Sequence, residues 1–302
     1  MRNDDRSIGK AMGYNGIILV DKPCDWTSHD VVGKLRGVLH ERRIGHSGTL
    51  DPMATGLLVV FVGRATRAVE FAEADSKEYI AGLRLGVTTD TQDTTGNVLA
   101  SCEKIPTKHE LQAALSDFTG EISQIPPMYS AIKVNGKKLY ELARKGESVE
   151  RKLRNVKISK LEIIGEENGD HILDVCCSKG TYIRTLCNDI GEKLGCGGCM
   201  SSLRRVKAGT FSVEQAHTID QIQAAVENGE LEGLVLPVDT LFTDKPAFRV
   251  NSVCEKKLRN GNMIKTDRAD GVYRVYSKSG EFLLLGEVRQ GVLKTIKSFF
   301  EV

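Results

Sequence analysis

The chain has 302 residues, enough for one large domain and a small one, and its 40% apolar and 27% charged composition is ordinary for a globular protein. Its longest aliphatic and aromatic run, residues 57–62, is far too short to span a membrane, and residues 1–6 are polar and lack the apolar core of a secretory signal. The eight cysteines are scattered through a chain that can build its own core, so we expect reduced thiols in a cytoplasmic protein rather than a disulfide framework.

Charge is unevenly distributed, although the net charge of the whole chain is only +2. Residues 245–302 hold 12 Lys+Arg against 6 Asp+Glu, a net charge of +6, so the rest of the chain carries −4. A basic C-terminal module on a near-neutral body is typical of a protein that binds a polyanion. A solvent-exposed basic face that binds no partner would carry the same net charge. Charge alone therefore does not decide between a polyanion-binding module and such a face.

The first predicted elements are a strand at residues 16–20 and a helix that follows Lys22 and Pro23. Thr27 can cap this helix, with Asp30 as an acidic residue in its first turn. Its apolar stripe comprises Val31, Val32, Leu35, Val38 and Leu39. The helix exit is basic, through Arg36, His40, Arg42 and Arg43, which either serve a function or offset the helix dipole.

A glycine-rich stretch at residues 45–56 leads directly into the apolar run at 57–62. Glycines mark backbone that turns sharply or is closely approached, and a bounded apolar run indicates a buried strand. Asp51 is therefore predicted in a rigid loop at the lip of a core strand. A carboxylate there is unfavourable unless it is hydrogen-bonded, paired with a cation or used in chemistry. The structural alternative is an aspartate that caps a turn before Pro52.

The middle of the chain contains a predicted strand at residues 80–85 and a turn-rich loop at 88–96 that fails the calcium-loop pattern. Thr107 and Glu110 form a capping box for a further helix. From residue 124 to 160 the character changes, with turn signals at Pro126-Pro127 and Asn135-Gly136 and ten basic residues interleaved with Tyr129 and Tyr140. Basic and aromatic residues in this mixture favour a nucleic-acid surface. A mobile solvated loop is the alternative.

The second half begins with a predicted strand at residues 171–177 and a helix at 181–194. Arg184 lies in the first turn of that helix, where a cation opposes the helix dipole and needs a compensating anion, for which Asp51 is the candidate. Thr218 and Gln221 cap another helix. Beyond residue 245, strands at 272–276 and 282–288 are joined by a turn at 278–280.

Several chemical motifs are absent from the sequence. The stretch from Gly45 to Thr49 fails the nucleophile elbow because Thr49 stands where a second glycine is required, so Ser47 is a poor hydrolase nucleophile. Cys196 and Cys199 have metal-ligand spacing, but no second such pair or nearby pair of histidines completes a zinc site. No P-loop, HExxH or dinucleotide fingerprint is present. We therefore expect neither a cofactor nor a metal.

Residues 45–56, with the sequence GHSGTLDPMATG, resemble the catalytic motif of the TruB family, the bacterial tRNA pseudouridine-55 synthases. The resemblance covers nearly the whole chain and includes the segments LVDKP at 19–23, KEY at 77–79, PPMYSA at 126–131, GTYIR at 180–184 and LRR at 203–205.

This resemblance implies an α+β pseudouridine-synthase fold, in which helices flank a mixed, largely antiparallel central sheet. It places the catalytic domain at residues 1–243, with a flexible RNA-binding thumb at about 124–160. A small PUA-like β-barrel domain that binds RNA is expected at 244–302. We also expect a monomer that binds the T-arm of tRNA and does not bind membranes.

The same resemblance implies conversion of uridine 55 in the tRNA T-loop to pseudouridine, with Asp51 as the essential nucleophile or base. Uracil leaves as a delocalised anion, so one carboxylate suffices where a glycosidase uses two. Arg184 is expected to pair with Asp51, to favour its charged form and to fix its direction. An RNA-folding chaperone that opens the T-arm is an alternative function, and a catalytic subunit that relies on a guide RNA is another.

The expected substrate contacts also come from the resemblance, because the target base must be flipped out of its stack. Tyr79 is expected to stack on the flipped uracil, and Tyr182 and Leu203 to form further pocket walls. His46 is expected to enter the RNA side of the site. Lys22 is counted with the substrate-binding residues and is expected to support the catalytic loop. For Tyr79 and Leu203 a purely structural core role is the alternative.

Overall fold

The computed structural model describes residues 14–72, 76–130, 132–134 and 136–300. The polar N-terminus at 1–6, Ala131 of the PPMYSA segment and Asn135 of the predicted Asn-Gly turn lie outside the described residues. No helix within the described ranges is long and apolar enough to cross a membrane.

Regular elements follow one another closely along the described chain. The strands are β1 Gly16–Lys22, β2 Ile44–Ser47, β3 Thr55–Val62, β4 Lys77–Leu85, β5 Val87–Thr89, β6 Val98–Ser101, β7 Gly120–Gln124, β8 Lys133–Val134, β9 Lys137–Lys138, β10 Arg154–Glu167, β11 Asp170–Cys177, β12 Gly198–Ala208, β13 Phe211–Ser212, β14 Ala247–Arg249, β15 Ile264–Lys265, β16 Gly271–Tyr276, β17 Phe282–Arg289 and β18 Val292–Ser298. The α-helices are α1 Ser28–Leu39, α2 Val69–Ala72, α3 Lys108–Leu115, α4 Leu139–Ala143, α5 Ile183–Lys193, α6 Ile219–Glu227 and α7 Ser252–Arg259. Short 3-10 helices occur at Gly63–Ala68, Ser116–Phe118, Val213–Gln215, Leu231–Leu234 and Val238–Phe242.

The central sheet contains nine strands, in the order β1-β3-β12-β4-β11-β10-β7, with β2 paired to β3 and β13 paired to β12. Its neighbouring strands are antiparallel, except that β12 runs parallel to β3. This confirms the predicted mixed, largely antiparallel sheet. The parallel contact matters for function, because it brings the backbone of β12 against the start of β3, directly after the Asp51 loop.

The apolar run of β3 is buried on both faces of the sheet. Successive side chains of a strand point to opposite faces, so alternate residues from Leu57 to Phe61 pack into one core and those from Leu58 to Val62 into another. The first core also contains Leu285 of β17 and Phe299, directly after β18, and the second takes the apolar faces of α1 and α6. The predicted buried strand is confirmed and begins slightly earlier, at Thr55.

Three predicted helix caps are present in the structure. The hydroxyl of Thr27 accepts from the Asp30 N–H at 3.0 Å, and the Asp30 carboxylate accepts from the Thr27 N–H at 2.8 Å. Equivalent capping boxes start α3 and α6. A cap of this kind contributes about 1 kcal/mol to helix stability.

The helix predicted at 181–194 spans Ile183–Lys193, so its first two predicted residues lie outside it. Tyr182, directly before the helix, has extended backbone angles (φ −105°, ψ 110°), and the buried side chain of Gln124 at the end of β7 is hydrogen-bonded to its N–H and carbonyl. Arg184 is the second residue of α5, so it lies in the first turn of the helix, as predicted.

Residues 124–160 do not form one projecting segment. Arg154 to Lys160 belong to β10, whose first residue pairs with Gln124 of β7, so the part outside the central sheet is 125–153. That part, called the thumb below, contains the β8–β9 hairpin and α4, whose Leu139 and Leu142 are buried.

The C-terminal strands form a separate five-stranded sheet in the order β14-β16-β17-β18-β15. The predicted hairpin between β16 and β17 is confirmed. This sheet has its own core, which includes Phe248 and Val275, and it also packs on the central domain. The rings of Phe282 and Phe299 stack with centroids 5.2 Å apart and both contact Phe242.

Candidate active site

The loop that carries Asp51 connects β2 to β3 and is shaped by glycine. Gly56 has φ +96°, and a Cβ atom there would lie 2.4 Å from the backbone carbonyl oxygen of Arg205 in β12. Only glycine allows this close approach. Gly56 therefore cannot be replaced by another residue without moving β12, and the start of β3 is fixed against that strand.

Buried side chains hold the loop from below. Ser28, at the start of α1, both accepts from the Leu50 N–H at 2.9 Å and donates to the Leu50 carbonyl at 3.2 Å. The guanidinium of Arg205, 1% exposed, donates to the Gly48 carbonyl at 3.0 Å and to the Leu57 carbonyl at 2.7 Å. The loop backbone is thus tied to α1, β3 and β12 at once.

Lys22, fully buried, also lies beneath the loop. Its ammonium donates to the carbonyls of Pro23 at 2.8 Å, Trp26 at 2.6 Å and Pro52 at 3.1 Å. Burial lowers the pKa of Lys22 to about 8, against the raising influence of nearby Cys24 and Asp51. All three donors of the ammonium are engaged, so the geometry favours the loop-supporting part of its expected role over contact with a substrate.

Asp51 and Arg184 form an ion pair with two hydrogen-bonding contacts. Nε of Arg184 lies 2.9 Å from Oδ2 of Asp51, and Nη2 lies 3.1 Å from Oδ1. The Arg184 side chain is 6% exposed, whereas that of Asp51 keeps 34% of its surface open. This fork-to-fork geometry fixes the direction of the carboxylate. The pairing predicted from the helix position of Arg184 is present.

Burial raises the pKa of the Asp51 carboxyl above its ordinary value. The Arg184 guanidinium and, more weakly, Lys22 act in the opposite direction, whereas the nearby carboxylate of Asp93 adds to the rise. Burial thus favours the protonated form of Asp51, whereas the nearby cations Arg184 and Lys22 favour its ionised form.

Asp93 is a second carboxylate of the site that the sequence analysis missed. Its Oδ2 lies 3.8 Å from Nε of Arg184, and its Oδ1 accepts from the Thr91 hydroxyl at 2.8 Å and from the N–H and hydroxyl of Thr95. The side chain is 7% exposed. The acid- and threonine-rich loop at 88–96 was the available signal, but nothing in its spacing shows that one of its aspartates turns inward.

The remaining bonds of Arg184 go to backbone carbonyls on two other segments. Nη1 donates to the Thr91 carbonyl at 3.3 Å, and Nη2 donates to the Tyr129 carbonyl of the thumb at 2.8 Å. One arginine therefore joins the catalytic loop, the 88–96 loop and the thumb.

Tyr79 and Leu203 lie on adjacent strands next to the loop. Both are buried, in the same core cluster as Leu50 and Ala54, which flank Asp51. Burial raises the pKa of the Tyr79 phenol, and a hydrogen bond from Arg205, opposite it on β12, partly offsets the rise. Both residues therefore belong to the core beside the Asp51 loop, and their expected role as pocket walls stays a prediction.

Tyr182 is the half-buried residue directly before α5, two residues from Arg184. His46 is half-buried in β2, and its ring meets that of His29 edge-on with centroids 5.5 Å apart. Burial, His29 and Arg205 lower the pKa of His46 to about 4, so its ring is neutral at neutral pH. Its Nδ1 is buried and has no hydrogen-bond partner among the described residues.

Cysteines do not assemble a metal site in the part of the chain that the structure describes. All eight are free, and no group of three or more His, Cys, Asp or Glu side chains within the described ranges is placed to hold a metal ion. Cys196 and Cys199 are both buried.

Comparison with known proteins identifies the family. Residues 36–183 match the N-terminal domain of the TruB family pseudouridylate synthases, and residues 184–243 match the C-terminal domain of tRNA pseudouridylate synthase B. The chain is 40% identical over 291 residues to tRNA pseudouridine synthase B of Clostridium kluyveri, covering 94% of this chain and 99% of the relative. It is 48% identical over 250 residues to the enzyme of the same name from Alkaliphilus oremlandii, covering 83% of each.

A chain in a solved structure of an H/ACA RNP bound to a substrate RNA containing 2'-deoxyuridine shares the fold. It has a TM-score of 0.71 and 24% identity, and the match covers 100% of this chain and 92% of that chain. The fold, the family matches and the closely similar relatives agree: the chain belongs to the TruB family of pseudouridylate synthases.

Proposed function

We propose that this enzyme isomerises uridine 55 in the T-loop of tRNA to pseudouridine, with Asp51 as the catalytic residue. The observation that carries the proposal is the Asp51–Arg184 pair, formed by a carboxylate that keeps one third of its surface open on a loop locked from below. The name of the similar relatives, tRNA pseudouridine synthase B, supports tRNA as the substrate.

The reaction breaks the bond between ribose C1' and uracil N1 and forms a bond between C1' and C5, while the proton at C5 is lost and N1 gains one. It is redox-neutral, so it needs no electron donor or acceptor. Attack on the ribose, attack on the uracil ring and removal of a ribose proton all require Asp51 to be ionised. Arg184 and Lys22 supply the positive charge that favours this form.

Access to the base requires flipping, which costs a few kcal/mol of stacking. In this proposal Tyr79 stacks on the extruded uracil, and Leu203 and Tyr182 complete the wall around it. His46, half-buried in β2 and neutral at neutral pH, enters the RNA side of the site. These roles are supported by the position of the residues around the loop.

The RNA partner is proposed to be the T-arm, contacted by the basic thumb and by the C-terminal sheet. The division into a catalytic domain at 1–243 and a PUA-like domain at 244–302 is supported by the separate sheet and core that follow residue 246. Action on tRNA supports a cytoplasmic location, and a site built from one chain supports a monomer.

The test is to incubate the purified protein with unmodified tRNA and to map pseudouridine position by position. We expect modification at position 55 alone. Asp51→Asn should lower the single-turnover rate by more than about a thousandfold, with RNA affinity within about threefold of wild type. Retained product formation by that variant would overturn the catalytic assignment. T-arm opening without any product in the wild type would instead favour an RNA chaperone.

A further inference from the structure

Gln124 is a buried polar residue that the proposed chemistry does not use. It ends β7 with its side chain 1% exposed, at the point where the thumb leaves the central sheet. The other arm of the thumb returns directly opposite, since Gln124 pairs with Arg154 of β10. A buried amide at the root of a segment expected to move is an unusual choice, because it must find hydrogen bonds there.

The side-chain amide of Gln124 forms two hydrogen bonds with the backbone of a single residue, Tyr182. Its Nε2 donates to the Tyr182 carbonyl at 3.3 Å, and the Tyr182 N–H donates to its Oε1 at 3.0 Å. Tyr182 immediately precedes α5, and its carbonyl also accepts the first helical bond, from the Leu186 N–H at 3.0 Å. The side chain therefore fixes the backbone from which α5 starts.

Arg184 lies two residues further along this backbone and orients Asp51. Its Nη2 donates to the carbonyl of Tyr129, five residues past Gln124 in the thumb. The intervening Pro126 and Pro127 are buried and have fixed φ angles. The thumb root and the first turn of α5 are thus joined at two points, through Gln124 to Tyr182 and through Tyr129 to Arg184.

We propose that Gln124 is a positioning residue that couples the thumb to the Asp51–Arg184 pair. When the thumb root is seated, the two amide bonds fix Tyr182 and aim Arg184 at the carboxylate. The root must therefore be seated against α5 while the bound uridine reacts. The proposal rests on the proposed function only for its kinetic readout.

The kinetic test uses two substitutions of Gln124 by side chains of similar length, Gln124→Met and Gln124→Glu. Gln124→Met removes both hydrogen bonds, and we expect the single-turnover rate on tRNA to fall by at least about tenfold with little change in RNA affinity, because a small misplacement of a positioning group lowers the rate more than the binding. Gln112→Met, on the exposed face of α3, is the matched control and should leave both unchanged.

Gln124→Glu adds a readout that a merely structural role would not move. A protonated carboxyl can reproduce both bonds, with its hydroxyl donating to the Tyr182 carbonyl, whereas the ionised form places a second acceptor there. Burial favours the protonated form. The rate of this variant divided by that of wild type should therefore rise by at least about fivefold from about pH 8 to pH 6. Dividing by the wild-type rate cancels the titration of groups common to both proteins.

Hydrogen exchange gives a readout that does not depend on activity. The Tyr182 amide should exchange at least about tenfold faster in Gln124→Met than in wild type, under conditions where circular dichroism shows both proteins folded. If the wild type makes no pseudouridine but this exchange differs, the proposed function fails and the coupling of Gln124 to α5 stands. Unchanged exchange, a rate ratio independent of pH, or equal losses of rate and RNA affinity would each overturn the positioning role.

Discussion

The catalytic loop and the thumb are held to the protein in different ways. The loop between β2 and β3 is tied by fully buried side chains, with Ser28, Lys22 and Arg205 bonded to its backbone. The thumb, at residues 125–153, has a small core of its own and meets the active site through the Tyr129 carbonyl. A rigid carboxylate is thereby combined with a segment that is joined to it through Arg184. Arg184 contacts both regions and should be the most sensitive position after Asp51.

Apart from replacement of Asp51 itself, the largest effect is expected for Arg184→Lys. A lysine keeps the charge but loses the planar fork that holds both oxygens of Asp51, and it cannot reach Thr91 and Tyr129 at the same time. We expect the single-turnover rate to fall by about two to three orders of magnitude, with RNA affinity changed by less than about fivefold. Arg84→Lys is the matched control, because Arg84 forms a similar fork with Asp170, at 2.8 and 2.9 Å, on the sheet. Equal losses in the two variants would show that fork geometry at the site has no special role.

The second-largest effect concerns the rigid region, the Asp51 loop, and its support by Lys22. Lys22→Met removes the ammonium and leaves the carbonyls of Pro23, Trp26 and Pro52 without their donor, so unfolding should become easier by about 1–3 kcal/mol. The rate should fall by about tenfold or more, because the loop backbone loses a support. Lys34→Met, on the exposed face of α1, controls for loss of a lysine. Denaturant unfolding and single-turnover kinetics give the two values, and an unchanged rate would show that the loop does not need this support.

Lys22 also makes stability depend on pH. Its pKa in the folded protein, about 8, is below the ordinary value of 10.5, so the charged form is disfavoured by folding. The resulting destabilisation is full below about pH 8 and disappears as pH rises toward 10.5. The free energy of unfolding of wild type minus that of Lys22→Met should therefore increase over this interval. A flat difference would mean that burial does not perturb Lys22.

These residues also show what the sequence could and could not predict. The strands, the three capped helices and the Asp51–Arg184 pair follow from local patterns, because a loop carboxylate and a helix-start arginine each need a partner, and the family motif supplies the rest. Asp93 was missed because its loop has the composition of any solvent-exposed turn. Gln124 was missed because its hydrogen bonds go to the backbone of a residue far along the chain. Such a glutamine produces no recognisable periodicity or motif spacing in the sequence. The thumb was predicted too long, because β10 carries basic residues on its exposed positions and resembles the thumb in composition.

A smaller effect concerns the pH dependence of the reaction. Since burial raises the pKa of Asp51 and the nearby Asp93 carboxylate adds to the rise, the rate should decline toward acid from a pH above the ordinary carboxyl pKa of 3.8. Asp93→Asn removes a negative charge from the neighbourhood, so this acid limb should move to lower pH. Single-turnover rates across pH, with folding checked at each point, measure the shift. A limb that stays in place or moves upward would contradict the assigned influence of Asp93.

The smallest effect on chemistry is expected in the thumb itself. Lys133 and Lys137 are exposed on the β8–β9 hairpin, away from the bonds that join the thumb root to α5. If they neutralise phosphates, the double substitution Lys133→Gln and Lys137→Gln should weaken tRNA binding and lower the slope of log affinity against log salt by about 1.4 to 1.8, since each lost contact releases slightly less than one counterion. At saturating enzyme the single-turnover rate should stay within about twofold of wild type, because neither lysine contributes to the bonds around Arg184. Binding titrations at several salt concentrations and one saturating rate measurement suffice. A reduced slope with an unchanged rate separates RNA capture by the tip from positioning by the root, whereas a rate loss at saturation would show that the tip also controls the geometry at Asp51.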